Sequence, residues 1–167
     1  MPKPAPAFRP TFRWLLRRPV CLLGFGFGSG LAPVAPGTFG TLPALPMAAG
    51  LTALDIHGWP LAAVALLLFA AGIPICNRTE AALGVHDYSG IVWDEIAAML
   101  LVLAFTPPHW AWWLAAFGVF RLFDAAKPPP VRWFDRRVGG GLGVMLDDLI
   151  AALLTLAVLQ GAAYLLQ

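Results

Sequence analysis

Four long stretches of the sequence contain no Asp, Glu, Lys or Arg. They are residues 38–54, 56–77, 96–120 and 149–167. A bilayer core of ~30 Å is crossed by about 20 helical residues, so stretches of this length are typical of helices that enter a membrane. The chain is 59% apolar and 12% charged, whereas soluble chains are about 45–50% apolar and about 25% charged. The composition excludes an ordinary soluble domain and intrinsic disorder, and it predicts an integral membrane protein.

The stretch at 96–120 is interrupted by Pro107 and Pro108, and consecutive prolines stop a helix. We therefore predict an all-α, compact bundle of about five apolar membrane helices, near residues 42–54, 59–77, 90–105, 110–124 and 147–166. Residues 28–167 form this bundle, and residues 1–27 are predicted to be an amphipathic arm at the membrane interface. The arm would direct Arg13, Arg17 and Arg18 to lipid head groups and Phe12, Trp14, Leu15 and Leu16 to acyl chains. The whole chain, residues 1–167, is then a single domain.

The charges constrain how this bundle is oriented. Threading the five helices through a membrane places every Lys and Arg on one side, and the positive-inside rule makes that side cytoplasmic. Eight of the nine acidic residues fall on the same side, and the exception is Asp55. The net charge of +2 is small and the aromatic residues are not interleaved with basic runs, so nucleic acid is not an expected partner.

Carboxylates are predicted to converge at the cytoplasmic end of the bundle. At ~1.5 Å per helical residue, Asp94, Glu95 and Asp124 lie at nearly one depth, and Asp147-Asp148 are expected to begin the last helix there. Unpaired acids in a low-dielectric setting are costly and usually mark function. Their hard oxygens suit Mg²⁺ best, with Mn²⁺ or Ca²⁺ behind it. The alternative is structural: the last pair caps a helix N-terminus and Asp94 pairs with an arginine.

Cations on the same face suggest a phosphate ester as substrate, because a guanidinium fork can hold phosphoryl oxygens beside a metal. Arg121 lies three residues before Asp124 and so shares its helical face. The alternative for the other basic residues is that they only anchor the chain at the cytoplasmic membrane surface. Residues 36–41 precede a helix and could bind an anion through free N–H groups, or Thr38 or Thr41 could simply cap it. The glycines of 139–143 would let the backbone approach a metal or phosphate closely.

Three segments carry a family resemblance: LAPVAPGTFGTLPALP at 31–46, DYSGIVWDE at 87–95 and FRLFDAAKPPPVRWFDRRVGGGLGVMLDD at 120–148. In this order and spacing the chain resembles the phosphatidylglycerophosphatase A lipid phosphatases. The resemblance implies an all-α, multi-pass protein of the bacterial inner membrane with its active site on the cytoplasmic face. It also implies a Mg²⁺-dependent enzyme that dephosphorylates phosphatidylglycerophosphate to phosphatidylglycerol.

The combined hypothesis is metal-assisted hydrolysis of a phosphate monoester on a lipid that already lies in the bilayer, with no obligate protein partner evident. Asp87, Asp94, Glu95, Asp124, Asp147 and Asp148 would hold Mg²⁺, and the catalytic set is Asp94, Glu95, Asp124 and Asp148. The substrate phosphate would be held by Gly37, Thr38, Gly40, Arg121, Lys127, Arg136 and Arg137. Water, deprotonated by one of the carboxylates, would attack the phosphorus in line.

Other functional classes are alternatives to this hypothesis. A CDP-alcohol phosphotransferase needs a D-x2-D-G-x2-A-R signature and a histidine-based lipid phosphatase needs P-S-G-H, and neither motif occurs in the sequence. Another lipid phosphate monoesterase could use the same carboxylates. A small membrane carrier that binds a transported cation is the non-enzymatic alternative.

Overall fold

The chain is all-helical. The computed structural model describes residues 8–86, 88–129 and 139–165, and no strand occurs within these ranges. The elements are α1 (Phe12–Leu16), α2 (Pro19–Gly24), a short 3-10 segment (Gly26–Leu31), α3 (Pro36–Thr41), α4 (Ala44–Ala53), α5 (Trp59–Leu83), α6 (Trp93–Ala104), α7 (Trp110–Ala126) and α8 (Gly140–Leu165). The predicted all-α class is confirmed.

Helix α6 is the centre of the bundle. Every residue of Trp93–Ala104 is buried, and the helix packs against α3, α4, α5, α7 and α8. Its sequence, WDEIAAMLLVLA, is apolar on all sides after the first turn, which is the pattern of a helix enclosed by other helices. The central position carries the first-turn acids Asp94 and Glu95 into the interior of the protein.

Two helices are long and apolar enough to cross a membrane. Helices α5 and α8 have 25 and 26 residues, and the most apolar part of each has a mean hydropathy of 2.1. Only 28% of that part of α5 and 44% of that part of α8 is buried inside the bundle. Leucines such as Leu66, Leu67 and Leu153 point outward from them, as lipid-facing side chains would. Helices α4 and α6 have 10 and 12 residues and are too short to span ~30 Å. Within the described residues, the five predicted apolar helices correspond to α4–α8, and two of them, α5 and α8, are long enough to span a membrane.

Two predicted helix boundaries were wrong. Helix α5 continues past Asn77 to Leu83, and α8 starts at Gly140 rather than near residue 147. The early start has a tertiary cause, because Asn77 Oδ1 accepts a hydrogen bond of 2.6 Å from Gly141 N–H. A Cβ on Gly141 would lie 2.3 Å from the carbonyl oxygen of Ile73. Gly141 therefore allows close packing of α8 on α5, and the predicted approach of this glycine run to a metal or phosphate stays a prediction.

The described part of the N-terminal segment packs against the bundle on one side, and its predicted position at the membrane interface stays a prediction. Helix α2 packs against α5, and α1 packs against α2. Leu15, Cys21 and Phe25 are buried in a second apolar core, so the prediction that Leu15 faces acyl chains was wrong. Phe12 and Leu16 remain more than half exposed. Burial of Leu15, Cys21 and Phe25 in this second core removes their apolar surface from water.

Candidate phosphate site at the N-terminus of helix α6

One cavity of about 340 Å³ lies at the N-terminal end of α6. Its lining includes five carboxylates and two cationic side chains, namely Asp94, Glu95, Asp124, Asp147, Asp148, Arg121 and Lys127. They are supplied by α6, α7, the residue after α7, and α8. The structure therefore brings together the acids that the depth estimate placed at one level.

Asp94 and Glu95 lie in the first turn of α6 and are 8% and 9% exposed. The positive end of the helix dipole favours negative charge there. Both residues lie outside the two helices of membrane length. Burial raises the pKa of Asp94 well above its usual range, and the carboxylates of Glu95, Asp147 and Asp124 raise it further. Burial also raises the pKa of Glu95, although the nearby Arg121 guanidinium opposes that change. The ionised forms of Asp94 and Glu95 are thus unfavourable unless additional cations bind near them.

Arg121 joins α7 to α6 inside the cavity. Its Nη1 lies 3.0 Å from Glu95 Oε1, and the same nitrogen donates to the carboxylate of Asp124 one turn along α7. The side chain is 18% exposed. One guanidinium nitrogen therefore holds two of the five carboxylates.

Lys127 and the last pair of acids close the opposite wall. Lys127 caps the C-terminus of α7 with a left-handed backbone (φ 42°), and its Nζ lies 2.5 Å from Asp147 Oδ2. Asp147 and Asp148 are 7% and 3% exposed. They lie about two turns inside α8, so the alternative in which they cap a helix N-terminus is excluded.

The donor set fits a hard divalent cation. Asp94 Oδ1 and Asp148 Oδ2 are buried without a hydrogen-bond partner, and such oxygens are unfavourable unless something binds them. Carboxylate oxygens are the ligands that Mg²⁺ prefers. Within the described ranges, no three His, Cys, Asp or Glu side chains are already close enough to hold one ion. Arg121 engages Glu95 and Asp124, and Lys127 engages Asp147.

Of the predicted 36–41 anion-binding segment, Pro36 and Gly37 line the cavity. A Cβ at Gly37 would lie 2.3 Å from Glu95 Oε1 and 2.8 Å from Arg121 Nη2. Thr38 and Gly40 do not line the cavity. A Cβ on Gly40 would lie 2.4 Å from Val92 Cβ, so that glycine allows α3 to pack closely on the start of α6.

Thr41 contacts the site, and the sequence suggested it only as part of the 36–41 segment or as a helix cap. Its fully buried hydroxyl lies 2.8 Å from the Gly37 carbonyl oxygen and 3.1 Å from Glu95 Oε2, so its one hydrogen can go to either acceptor. Arg121 Nη1 approaches the same oxygen at 3.5 Å. The signal was its position one helical turn after Gly37. Tyr88 and Ser89, which also line the cavity, were not predicted.

Three predicted site residues, Asp87, Arg136 and Arg137, lie outside the described residues. The segment that follows Asp87 does reach the cavity through Tyr88 and Ser89. At the other end of the bundle, Asp55 and His57 line a separate cavity of about 590 Å³. The carboxylates of the candidate site are therefore gathered at one end, as the charge distribution predicted.

A helical bundle that carries membrane-length apolar helices, and that gathers carboxylates and a guanidinium around one cavity, has the features of an enzyme acting on lipid phosphates. The profile of the phosphatidylglycerophosphatase A family matches residues 22–163. The chain belongs to this family. The matched range includes every described residue of the charged cavity.

Individual relatives agree with the family match. The chain is 42% identical to phosphatidylglycerophosphatase A of Escherichia coli (strain K12), over 88% of this chain and 85% of that protein. It is 42% identical to phosphatidylglycerophosphatase A of Haemophilus influenzae, over 89% and 91%. It is 37% identical, over 87% and 94%, to a Bacteroides thetaiotaomicron protein named provisionally as a phosphatidylinositol-3-phosphatase. No solved structure shows a significant match to the chain.

Proposed function

We propose that this protein hydrolyses phosphatidylglycerophosphate to phosphatidylglycerol and inorganic phosphate in phospholipid biosynthesis, with Mg²⁺ as cofactor. The observation that carries the proposal is the family match over 22–163, which includes all the described charged residues of the cavity. The two relatives of highest identity reported above are named for the same activity.

The reaction is a displacement at the phosphorus of a monoester. The oxygen of water bonds to phosphorus, the bond from phosphorus to the glycerol oxygen breaks, and that oxygen takes up a proton. Asp94 and Asp148 each have a buried oxygen without a hydrogen-bond partner, and one of these carboxylates accepts the proton that water loses. Glu95 and Asp124 hold Arg121 in place, in addition to their proposed share in the metal site.

Arg121 and Lys127 are the described cations that face the substrate phosphate. Arg121 Nε is buried and has no acceptor among the described residues, so it has a donor available for a phosphoryl oxygen. Gly37 keeps the wall beside this guanidinium free of side-chain atoms. Thr38, Gly40, Arg136 and Arg137 complete the set that was predicted to contact the phosphate, and their contribution stays part of the proposal.

The residues that would hold Mg²⁺ are Asp87, Asp94, Glu95, Asp124, Asp147 and Asp148. When bound, Mg²⁺ would polarise the phosphoryl oxygens and offset the charge that develops on them. The support for this cofactor is the chemistry of the oxygens and the two buried acceptors that lack a partner.

The protein is further proposed to be a multi-pass protein of the bacterial inner membrane with the cavity on the cytoplasmic side. Helices α5 and α8 supply the apolar surface for this location, and the distribution of Lys and Arg supplies the orientation. A diacyl substrate in the same bilayer then needs only to bring its head group to the membrane surface.

The direct test is phosphate release by the purified full chain in detergent micelles. Phosphatidylglycerophosphate, phosphatidic acid and phosphatidylinositol 3-phosphate would be compared, each with Mg²⁺, with EDTA, and with Mg²⁺ restored. Release from phosphatidylglycerophosphate that exceeds release from the other two lipids, stops with EDTA and returns with Mg²⁺ is expected. Faster release from phosphatidylinositol 3-phosphate would show that this lipid, and not phosphatidylglycerophosphate, is the substrate. No phosphate release from any of the lipids, by protein that is folded and binds Mg²⁺, would favour a carrier.

A further inference from the structure

A second cavity, of about 260 Å³, adjoins the candidate site. The two cavities share Pro36, Tyr88 and Ser89 as lining residues. We call the second one the side cavity; its remaining lining residues are Arg9, Pro10, residues 30–33 and Gly90. A molecule that fills both cavities would pass the shared wall, where Tyr88 and Ser89 offer hydroxyl groups.

The two cavities differ in charge. Among the described residues that line the side cavity, Arg9 is the one that carries a charge, whereas the described lining of the candidate site includes five carboxylates. Arg9 forms no ion pair with any residue in the described part of the chain. A singly charged anion can therefore bind in the side cavity with Arg9 as counter-ion and without a metal.

Close backbone packing builds the wall of the side cavity. A Cβ on Gly30 would lie 2.1 Å from the carbonyl oxygen of Gly90, and a Cβ on Gly90 would lie 2.7 Å from the rings of Phe25 and Tyr88. The N–H of Val92 donates to the Gly24 carbonyl at 2.9 Å. These contacts fix the N-terminal segment against the turn before α6, so the side cavity keeps a defined position beside the site.

We propose that the side cavity binds the phosphodiester of the lipid substrate, with Arg9 as its counter-ion, while the monoester phosphate occupies the candidate site. The inference rests on the proposed function. Phosphatidylglycerophosphate carries one phosphate of each kind, joined by a glycerol that would lie along the shared wall. Phosphatidic acid has a monoester alone and cannot fill both cavities. Arg9 is thus a specificity-determining residue.

The first test is Arg9→Gln in the full chain, assayed on phosphatidylglycerophosphate and phosphatidic acid. Loss of one charge-assisted contact is expected to raise KM for phosphatidylglycerophosphate about tenfold with little change in kcat. In Arg9→Gln, the ratio of activity on phosphatidylglycerophosphate to activity on phosphatidic acid should fall by a similar factor. Arg9→Lys should retain part of this selectivity. Arg13→Gln is the matched control, because Arg13 is an exposed arginine of the same segment that lines neither cavity.

A second measurement uses glycerophosphoglycerol, a water-soluble diester without a monoester, as a competitor. It is expected to inhibit the unmodified protein and to inhibit Arg9→Gln about tenfold less well. An unchanged KM and unchanged inhibition in Arg9→Gln would overturn the side-cavity proposal alone, as would an equal effect of Arg13→Gln. Absence of phosphate release from phosphatidylglycerophosphate by the unmodified protein would instead overturn the proposed function, and the side-cavity proposal with it.

Discussion

Arg121 on α7 and Glu95 on α6 form an ion pair inside the candidate site, with Nη1 3.0 Å from Oε1. The two side chains are 18% and 11% exposed. Removing one partner of such a pair leaves a buried charge and typically destabilises a protein by about 3–5 kcal/mol. The pair therefore ties two helices together at the point where the substrate phosphate is proposed to bind.

The shape of the guanidinium, and not only its charge, is predicted to matter. Arg121→Lys keeps the charge but lacks the buried Nε donor that is proposed to contact a phosphoryl oxygen. Phosphate release should fall about 100-fold, a loss similar to that of other transition-state donors. Arg17→Lys, at an exposed position outside the cavity, should change nothing. Full activity of Arg121→Lys would show that Arg121 does not contact the phosphate as proposed.

Gly37→Ala should displace the same ion pair. The added methyl group would lie within 3 Å of both Glu95 Oε1 and Arg121 Nη2, and small displacements of catalytic groups reduce rates about 10–100-fold. Gly50→Ala is the control, because a Cβ there meets nothing within 4 Å and should stabilise α4 by ~0.5–1 kcal/mol. Phosphate release and thermal unfolding would be measured for both variants. Unchanged release by Gly37→Ala would contradict the assigned role.

Thr41→Val removes a buried hydroxyl while keeping the shape of the side chain. The Gly37 carbonyl and Glu95 Oε2 then lose the hydroxyl that lies 2.8 Å and 3.1 Å from them, and a hydrogen bond to a charged group is worth about 1.5–3 kcal/mol. We expect phosphate release to fall roughly tenfold and Thr41→Ser to retain most of it. Unchanged phosphate release by Thr41→Val would show that the hydroxyl has no role.

Mg²⁺ binding should be visible as stabilisation, independently of activity. A ligand present at 100 times its Kd stabilises the folded state by about 2.7 kcal/mol, so Mg²⁺ should raise the melting temperature of the protein relative to EDTA. Asp148→Asn should lose most of this shift. Asp55→Asn should keep it, because Asp55 lies in the opposite cavity and its left-handed backbone suits asparagine. An equal shift in both variants would place the metal elsewhere.

Local signals in the sequence predicted a large part of the fold. The Pro107-Pro108 pair separates α6 from α7 as expected, since α6 ends at Ala104 and α7 begins at Trp110. Charge placement and helical rise predicted that Asp94, Glu95 and Asp124 would meet, and they line one cavity. These inferences depend on helix geometry and on the cost of burying charge, and both can be read from one chain.

Features that depend on contacts between distant segments were not predicted. Helix α8 begins early because Asn77 of α5 caps it, and nothing near residue 140 signals that contact. Leu15 is buried because α1 packs into the bundle, while its local pattern equally fits a membrane interface. Thr41 meets Glu95 across 54 positions of sequence, so its role became visible only in the folded chain.

The central claim is that the buried carboxylates carry out hydrolysis, and phosphate release by Asp94→Asn tests it most directly. The substitution keeps the size of the side chain and removes a proton acceptor and metal ligand. Release from phosphatidylglycerophosphate at saturating Mg²⁺ should fall at least about 100-fold, while the melting temperature in EDTA holds or rises because a buried repulsion is removed. Asp55→Asn should match the unmodified protein. Full activity of Asp94→Asn would contradict the account.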